Sequence, residues 1–500
     1  MKVVVVKGRA RRRFTAAALG LVLLLIAGCV APEPEGTAAP PAPRPTAAPP
    51  ILDSEPSSPT LPPAVLDGTA LTTDELVVDT ASKGQIVSGL GIDANVHSWK
   101  GGQLKSAIDS YAAWGPLTWR VIIEKSDWES AQVGPADSID WSYYDSVLTS
   151  PKLEDLWNTI SYIESKPGQT VSLSLMGGVS GWMGGTRILP DKEDYWVRMV
   201  AALVAYGRNK LGLRLNLVSP LNEPDLNGVE GPKVDPDQAV RLLGNLGHRL
   251  DSMGLGDVKF VAPDASSVEG AKTAYAPLLM ADPYVRSKIA HLGVHTYSGD
   301  LADLPSTLKE GDPDVWVSEF NTACDSCDNG VELDDSWNRA TSTAAMLLSL
   351  LQQGASGAQL YDAWDGFYEH HGAFGYWGAL AYDAKSGTYT PRQTFGALKL
   401  LYNYLPPGSV RVQSHGASAV TAVAFTDPPS GALTIVGVNG TSSSQRFRIS
   451  DSSGRSAFST TEFSAVTDKG VTSSPQPRSD ASSLIVSVPA DSVFAVSAKR

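Results

Sequence analysis

The chain has 500 residues, with 40 basic and 53 acidic side chains, and its formal charge at pH 7 is −13. This acidic balance argues against nucleic acids and anionic polymers as partners. Cysteine is rare, with only three in the whole chain, so the position of each one is informative.

The N-terminus predicts a targeting segment rather than part of a fold. Six basic residues within the first 13 positions precede an apolar stretch at 16–27, which ends in Ala27-Gly28-Cys29. Small residues directly before a cysteine resemble the bacterial lipobox. We therefore expect residues 1–28 to be a lipoprotein signal peptide and Cys29 to be lipidated. The alternative is an ordinary secretory signal. Without residues 1–28 the chain has 34 basic and 53 acidic residues, a charge of −19.

Residues 29–75 are predicted to form a disordered linker rich in Pro, Ala and Thr. Positions 31–65 alone hold 12 of the 34 prolines. Such a composition cannot bury a core, and in polyproline conformation it could reach on the order of 100 Å. A lipid at Cys29 followed by this spacer predicts an exported, extracytoplasmic protein that contacts the membrane only through its lipid anchor.

Residues 76–405 alternate short apolar runs with amphipathic helical stretches. Eight such β-α repeats predict a (β/α)8 barrel, so the fold class is α/β. A doubly wound open sheet is the rival, but 84–91 lacks the glycine-rich phosphate loop typical of that fold. The predicted strands are 90–94, 117–123, 171–176, 213–218, 258–262, 289–294, 315–318 and 357–360. The predicted helices are 103–114, 153–165, 195–210, 237–253, 273–288, 306–310, 336–353 and 391–405.

Residues 406–500 have a different character. Short alternating segments separated by Gly, Ser, Pro and Asn predict a small all-β sandwich domain. Leu76 to Val78, which precedes the barrel, is a candidate further strand of this sandwich.

Two apolar runs end on a glutamate and predict the active site. Glu223 follows the fourth barrel strand in Asn222-Glu223-Pro224, and Glu319 ends the seventh in Val315-Trp-Val-Ser-Glu319. A buried carboxyl group is costly unless it has a partner or a task. In a barrel the active site lies at the carboxyl ends of the strands, so both side chains can reach the central axis. A pair of carboxylates there is typical of a glycosidase.

The Asn222-Glu223-Pro224 motif and a glutamate ending strand seven resemble the clan A, or "4/7", retaining glycoside hydrolases. The resemblance covers the barrel, and the appended β domain is similar to those of families 30 and 39. It implies that Glu223 is the acid/base, Glu319 is the nucleophile and Asn222 binds the sugar 2-hydroxyl.

The same resemblance implies roles for four further residues. Arg120 resembles the strand-two arginine that keeps the nucleophile ionised, a role that fits the effect of a guanidinium on a nearby carboxyl group. His295 and Tyr297 match a strand-six His-x-Tyr pattern, whose tyrosine bonds the nucleophile. Trp364 resembles the tryptophan that floors the sugar at the point of cleavage.

Other residues carry weaker signals. His97, Trp99 and Trp182 follow strands and could line a cleft, or pack under a loop. Asp264 could meet a substrate hydroxyl or cap a turn. Adjacent histidines point apart, so Glu369-His370-His371 is interpreted as a polar loop and no metal site is predicted. Cys324 and Cys327 are interpreted as a small disulfide loop beside the site.

The sequence therefore predicts a retaining β-glycoside hydrolase acting on a polysaccharide or oligosaccharide, with no cofactor and as a monomer. A transglycosylase on the same scaffold is one alternative, because only the acceptor differs. A carbohydrate-binding surface lipoprotein on an inactive barrel is the non-enzymatic alternative, disfavoured because both glutamates are present.

Overall fold

A computed structural model of the chain describes residues 74–226, 228–324, 326–454, 458, 460–472, 477–479 and 483–499. The predicted signal peptide, Cys29 and the proline-rich segment 29–73 lie outside these ranges. Within them, no helix is long and apolar enough to cross a membrane.

Eight parallel strands form a closed barrel within the described ranges, so the predicted fold class is confirmed. Neighbouring strands along the chain are neighbours in the barrel, and the last pairs with the first. The barrel strands are β2 (Gly89–Asn95), β3 (Thr118–Ile123), β4 (Thr170–Leu175), β5 (Leu217–Ser219), β6 (Lys259–Ser267), β7 (Ile289–Ser298), β8 (Asp314–Phe320) and β9 (Gly357–Leu360).

The helices surround this barrel and have recognisable start signals. Pro151 opens its helix at the first turn, and the hydroxyl of Ser336 caps another by accepting from the Arg339 amide. The α-helices are α1 (Leu104–Ala112), α2 (Trp141–Leu148), α3 (Pro151–Glu164), α4 (Glu193–Ala205), α5 (Pro236–Ser252), α6 (Val268–Gly270), α7 (Ala276–Ala281), α8 (Pro283–Lys288), α9 (Trp337–Gln352) and α10 (Gln393–Tyr404). Short 3₁₀ or π turns occupy Gly181–Met183, Pro190–Lys192, Tyr206–Lys210, Ala271–Tyr275, Leu301–Asp303, Pro305–Thr307 and Cys327–Asn329.

The differences from the predicted elements have local causes. The helix predicted at 273–288 is broken between α7 and α8, where Asp282 is extended and accepts from the amides of Tyr284 and Val285. Pro283 then starts the next helix, as proline at a first helical turn does. The additional helix α2, which was not predicted, begins at the capping residue Asp140.

Two small hairpins follow the last barrel strand. The first is formed by β10 (Gly366–Tyr368) and β11 (Ala373–Gly375), and the second by β12 (Leu380–Asp383) and β13 (Thr388–Pro391). The turn of the first hairpin carries His370 and His371, so it brings these side chains to the carboxyl-end face of the barrel.

The C-terminal domain is a β structure whose first strand precedes the barrel. β1 (Glu75–Ile86) lies between β14 and β17, antiparallel to the first and parallel to the second. The segment from 76 to 86 therefore belongs to this sheet rather than to the barrel. The other strands are β14 (Val410–Gly416), β15 (Thr421–Thr426), β16 (Leu433–Asn439), β17 (Gln445–Asp451), β18 (Thr460–Thr467), β19 (Gly470–Thr472), β20 (Arg478–Ser479), β21 (Ser483–Val488) and β22 (Ser492–Lys499).

The described strands pair in the order β19-β18-β22-β16-β15-β14-β1-β17-β21-β20, and this sheet closes over its own core. Phe447 of β17 and Phe494 of β22 are five strands apart in the order, yet their ring centroids are 6.3 Å apart. Both rings belong to one buried apolar cluster with Leu76 and Val486. The two halves of the sheet therefore face each other as a sandwich.

Strand β16 joins the sandwich to the barrel, because it is buried on both faces. Leu433 and Ile435 belong to the sandwich core, whereas Val436 and Val438 belong to the barrel core. Successive side chains of a strand point to opposite faces, so one strand serves two cores. A polar contact supports this interface, since the hydroxyl groups of Tyr404 in α10 and Ser464 in β18 lie 2.8 Å apart.

Candidate active site

The predicted catalytic residues converge at the carboxyl ends of the barrel strands. Glu319 lies in β8, the seventh barrel strand, and Glu223 follows β5, the fourth. His295 and Tyr297 are two apart in β7 and therefore share one face of that strand. Arg120 lies in β3.

The two glutamates form a close pair. Nδ1 of His295 lies 2.8 Å from Oε1 of Glu223 and 3.4 Å from Oε2 of Glu319. One carboxylate oxygen of each glutamate and this ring nitrogen all lie within 4.8 Å of one another. The His295 ring is fully buried, so it contacts both carboxyl groups out of reach of solvent. Burial disfavours charge on the ring, but Glu319 and Glu223 outweigh it and raise the pKa of His295.

Glu319 accepts two hydrogen bonds. Nη1 of Arg120 donates to its Oε1 at 2.5 Å, and the hydroxyl of Tyr297 donates to its Oε2 at 2.9 Å. Burial of the hydroxyl end and the negative charge of Glu319 raise the pKa of Tyr297, so this hydroxyl remains a donor. Two hydrogen bonds of this kind, one of them charge-assisted, hold the carboxylate in a fixed orientation.

Arg120 lies at the centre of a buried network. Its Nη1 also donates to Oδ2 of Asp93 at 3.1 Å, and its Nη2 donates to Oδ1 of Asn222 at 2.5 Å. Burial disfavours the cation, but Asp93, Glu319 and Asp264 raise the pKa of Arg120. Burial raises the pKa of Asp93 as well. Asp93 was not predicted, although a carboxyl group inside the apolar run of β2 was a signal that could have identified it.

Glu223 is held by its backbone as well as by His295. Its φ of 43° lies in the left-handed region, which costs a non-glycine residue on the order of 1–3 kcal/mol. Its amide donates to the carbonyl oxygen of Asp264 at 2.8 Å. The Asp264 carboxylate in turn accepts from the hydroxyls of Ser219 and Ser318, so it is a structural anchor here. Burial of the Glu223 side chain raises its pKa, and the neighbouring His295 opposes that shift.

The glutamates open into a cavity of about 740 Å³. Glu223, Glu319 and Tyr297 line it, and so do the aromatic rings of Tyr361 and Trp377. Such a volume is typical of a small-molecule site. Neither ring was predicted. Tyr361 directly follows β9, which was an available signal, whereas Trp377 reaches the cavity from the hairpin region, which the sequence pattern did not reveal.

The prediction that Trp364 forms the floor under the sugar is wrong. This ring is fully buried, and its Nε1 donates to the carbonyl of Asn95 at 2.9 Å. It packs against Trp119, with ring centroids 6.0 Å apart. A side chain in the barrel core cannot stack on a sugar. Tyr361, three residues earlier, lines the cavity instead.

His97 and Trp182 also lie away from the cavity. Nε2 of His97 is 3.2 Å from Glu369, and Nε1 of Trp182 donates to the Glu129 carbonyl at 2.7 Å. Trp182 packs edge-on against Tyr195. Both side chains stabilise loops, which was the alternative that the sequence left open. A substrate-binding role for either is not supported by their positions.

The interpretation of Glu369-His370-His371 is partly wrong. The His370 and His371 rings do not point apart: their centroids are 4.2 Å from each other, and both rings contact Glu230. Glu369 alone points away, toward Lys152 at 2.8 Å. Glu230 and His371 line the same cavity as the catalytic pair.

Cys324 and Cys327 form a disulfide. Cys324 lines the cavity together with Asn321 and Ala323, so this loop is part of its wall.

Sequence and structure comparisons relate both domains to known proteins. Residues 408–468 match a family described as the glycosyl hydrolase family 30 beta sandwich domain. No curated protein matches the chain. A family 30 subfamily 8 xylanase from Clostridium acetobutylicum is similar in structure, with a TM-score of 0.65 and 17% identity, over 85% of this chain and 100% of that one.

Two further solved structures share the architecture. A family 30 xylanase C catalytic domain from Talaromyces cellulolyticus has a TM-score of 0.66 at 14% identity, over 85% of this chain and 100% of that one. An endo-β1,6-glucanase has a TM-score of 0.64 at 15% identity, over 87% and 96%. These likenesses show that the chain shares the fold of those structures. The match of residues 408–468 to the family 30 beta sandwich domain confirms the expected likeness to that family.

Proposed function

We propose that this protein is a retaining β-glycoside hydrolase. The observation that carries the proposal is the close approach of Glu223 and Glu319, with carboxylate oxygens within 4.8 Å. Retaining glycosidases hold their two carboxyl groups about 5–5.5 Å apart, whereas inverting enzymes need roughly 6.5–9.5 Å to admit a water molecule. Carboxylate oxygens this close to each other favour the retaining arrangement and hence double displacement.

In the first step Glu319 attacks the anomeric carbon while the glycosidic bond breaks, and Glu223 donates its proton to the departing oxygen. The product is a glycosyl ester on Glu319 and a free alcohol. In the second step Glu223 takes a proton from water, whose oxygen displaces Glu319 at the same carbon. Two inversions give net retention, and both glutamates return to their starting states.

The surroundings of each glutamate support this division of roles. Arg120 and Tyr297 hydrogen-bond to Glu319 and so hold the proposed nucleophile in a fixed position. Burial raises the pKa of Glu223, so it retains a proton at a higher pH than an exposed glutamate does. Asn222 is fully buried beside the acid, where its Oδ1 accepts from Arg120 and its Nδ2 donates to the carbonyl of Glu230 at 3.0 Å, so its observed role is to position this loop rather than to bind the sugar 2-hydroxyl.

The substrate class we propose is a β-linked polysaccharide or oligosaccharide. The similar structures include two xylanases and an endo-β1,6-glucanase, which favours a β-linked main chain. Tyr361 and Trp377 line the cavity, where aromatic side chains can contact a sugar.

We also propose that the protein is exported and lipidated at Cys29, on the strength of the sequence pattern alone. Mass spectrometry of the N-terminal peptide of the mature protein would test this. A diacylglyceryl-modified Cys29 would support anchoring, and an unmodified chain starting elsewhere would contradict it.

The test of the function compares the protein from residue 66 with its Glu319→Gln variant on a panel of β-linked polysaccharides. Glu310→Gln is the matched control, because Glu310 is exposed and remote from the cavity. We expect sugar release by the parent and the control but not by Glu319→Gln. Proton NMR of the first product should show the β-anomer before mutarotation.

Two results would contradict the proposal. Initial release of the α-anomer would indicate inversion. Full activity of Glu319→Gln would show that Glu319 is not the nucleophile. Products longer than the substrate would instead indicate transglycosylation by the same intermediate. Binding of a glycan without turnover would indicate a binding protein.

A further inference from the structure

A second cluster of ionisable side chains lies on the wall of the same cavity. It consists of Glu230, from the loop after β5, with His370 and His371, from the turn between β10 and β11. Nε2 of His370 is 3.0 Å from Oε2 of Glu230, and Nε2 of His371 is 3.2 Å from Oε1. One donor atom from each of the three lies within 4.8 Å of the others. The double displacement uses none of these side chains.

His370 is oriented by a residue behind it. Nδ1 of its ring is hydrogen-bonded to the buried carboxylate of Glu124. Both side chains are only 1% exposed. A carboxylate on one ring nitrogen fixes the ring and makes the other nitrogen a better ligand, which is the usual arrangement around metal-binding histidines.

Among the described residues, Nε2 of His370 lacks a well-formed hydrogen bond. It is buried and has no hydrogen bond of acceptable geometry, although a Glu230 oxygen is close to it. A buried ring nitrogen that faces a carboxylate without a well-formed hydrogen bond is compatible with a ligand atom as well as with an ion pair. The side chains of His371 and Glu230 are 22% and 25% exposed, which leaves the cluster accessible from the cavity.

The distances suit a metal ion. In a tetrahedral zinc site with bonds of about 2.0–2.1 Å, neighbouring ligand atoms lie about 3.3 Å apart. The separations of 3.0 Å from His370 to Oε2 of Glu230 and 3.2 Å from His371 to Oε1 are close to that value, although they also fit a direct ion pair. Two imidazoles and one carboxylate are also a donor set that divalent transition metals favour.

We propose that Glu230, His370 and His371 bind a divalent transition-metal ion of the Zn²⁺ type, with Glu124 orienting His370. Three protein ligands leave a position for water or for a sugar hydroxyl or carboxylate oxygen. Because Glu230 and His371 line the cavity, that position faces the substrate space shared with Glu223 and Glu319. The rival reading is a metal-free ion pair between the histidines and the carboxylates.

The experiment measures metal binding without any substrate, so its outcome is independent of the glycosidase proposal. The purified protein is treated with EDTA, transferred to metal-free buffer and titrated with Co²⁺. We expect one equivalent per chain to give the intense visible absorption of four-coordinate cobalt, and Zn²⁺ to displace it. Equilibrium dialysis with Zn²⁺ gives the stoichiometry and affinity.

Variants assign the ligands. We expect His371→Asn and Glu230→Gln each to weaken Zn²⁺ binding by at least about tenfold. Glu124→Gln, which disturbs only the orienting residue, should weaken it about 10- to 100-fold. His415→Asn is the matched control, because His415 is an exposed histidine of β14, and it should bind as the parent does. His371 is preferred to the buried His370, whose replacement risks misfolding.

The proposal is overturned if the EDTA-treated protein shows no saturable Zn²⁺ or Co²⁺ binding while circular dichroism shows it folded. It is equally overturned if His371→Asn and Glu230→Gln bind the metal as tightly as the parent. Either result assigns the cluster to a metal-free ion pair.

Discussion

Arg120 hydrogen-bonds Glu319 at 2.5 Å through one nitrogen, and through another it holds the side chain of Asn222, the residue that precedes Glu223. One buried guanidinium thus contacts the proposed nucleophile directly and the proposed acid/base through its neighbour. The position of each glutamate therefore depends on the same side chain, and the geometry of the pair should fail as a unit when Arg120 is changed.

Replacing Arg120 should impair both stability and catalysis. Arg120→Met leaves Glu319 and Asp93 buried without their cation, so we expect the free energy of unfolding to fall by about 3–5 kcal/mol. Arg120→Lys keeps the charge but cannot hold two partners in fork geometry, so kcat should fall about 100-fold from misplacement of the carboxylates. Urea unfolding and steady-state kinetics measure the two effects.

The control for Arg120 is Arg241→Met, which breaks a half-exposed ion pair with Glu193. An exposed pair of this kind is worth about 1 kcal/mol or less. If Arg120→Met were as stable and active as that control, the buried network would have no role in positioning the glutamates.

The pH dependence of catalysis should report the environment of Glu223. The acid must carry a proton, so kcat/KM falls as pH rises through the pKa of Glu223. Burial raises that pKa above the ordinary value of about 4.3, so the basic limb lies above it. The hydrogen bond and charge of His295 lower the same pKa, so His295→Asn should move the limb to higher pH.

A pH–rate profile on a natural β-linked substrate tests this shift. His415→Asn should leave the basic limb unchanged, because that ring is exposed in the sandwich. A limb that moves to lower pH in His295→Asn would contradict the proposed electrostatic coupling.

The acid role of Glu223 can be separated from other roles by the leaving group. Glu223→Ala should reduce kcat/KM about 10²- to 10⁴-fold on a natural glycoside, whose departing oxygen needs a proton. An aryl glycoside with an acidic phenol leaves without that proton, so its first step should be nearly unaffected. Burst kinetics with both substrates measure the difference, and equal losses on both would refute the assignment.

Substitution of Trp364 should mainly lower stability, whereas substitution of Tyr361 should mainly raise KM. Trp364→Ala removes a core ring and should cost about 3–5 kcal/mol of unfolding free energy. Trp364→Phe should lower stability less and leave KM unchanged. Tyr361→Ala removes a ring from the cavity and should raise KM a few-fold to about tenfold, the worth of one aromatic contact.

Melting temperatures and KM values for the three variants decide between these roles. A raised KM in a fully folded Trp364→Phe protein would indicate that Trp364 contacts the sugar, as the sequence predicted.

The barrel and the convergence of Glu223 and Glu319 could be predicted because they rest on local patterns. Apolar runs such as the one ending at Glu319 set the strands, and barrel geometry brings strand ends together whatever the loops do. The aromatic residue of the cavity was predicted wrongly because its direction depends on a loop. A residue just beyond a strand end can turn into the core or the cavity, and Trp364 and Tyr361 are three residues apart with opposite outcomes.

The cluster around Glu230 could not be predicted from spacing. Glu230 is 140 residues before His370, and Glu124 lies in yet another loop. Adjacent histidines point apart in a regular strand, but the turn between β10 and β11 is irregular and brings both rings to Glu230. Loop conformation, rather than periodicity, determines that contact.

The barrel and the sandwich should unfold together. Val438 of β16 is buried in the barrel-side cluster, so Val438→Asp puts a carboxylate in that interface. A buried charge of this kind costs several kcal/mol, and calorimetry should show one transition at a lower temperature. Val471→Asp, at a position that is 87% exposed, is the matched control and should melt as the parent does. Two separate transitions in the parent would contradict the shared core.

The place of β1 in the sandwich has a consequence for biosynthesis. Residues 87–409 are synthesised between β1 and its first sheet partner, β14, and β17 follows later still. Throughout that interval the amides and carbonyls of β1 have no sheet neighbour and form an open edge. The barrel can form from its own strands before β1 has a sheet partner. A chain released before the C-terminal strands are synthesised therefore has a folded barrel and an exposed, association-prone strand at its N-terminal side. Synthesis of the last strands covers this edge and so protects the product from aggregation.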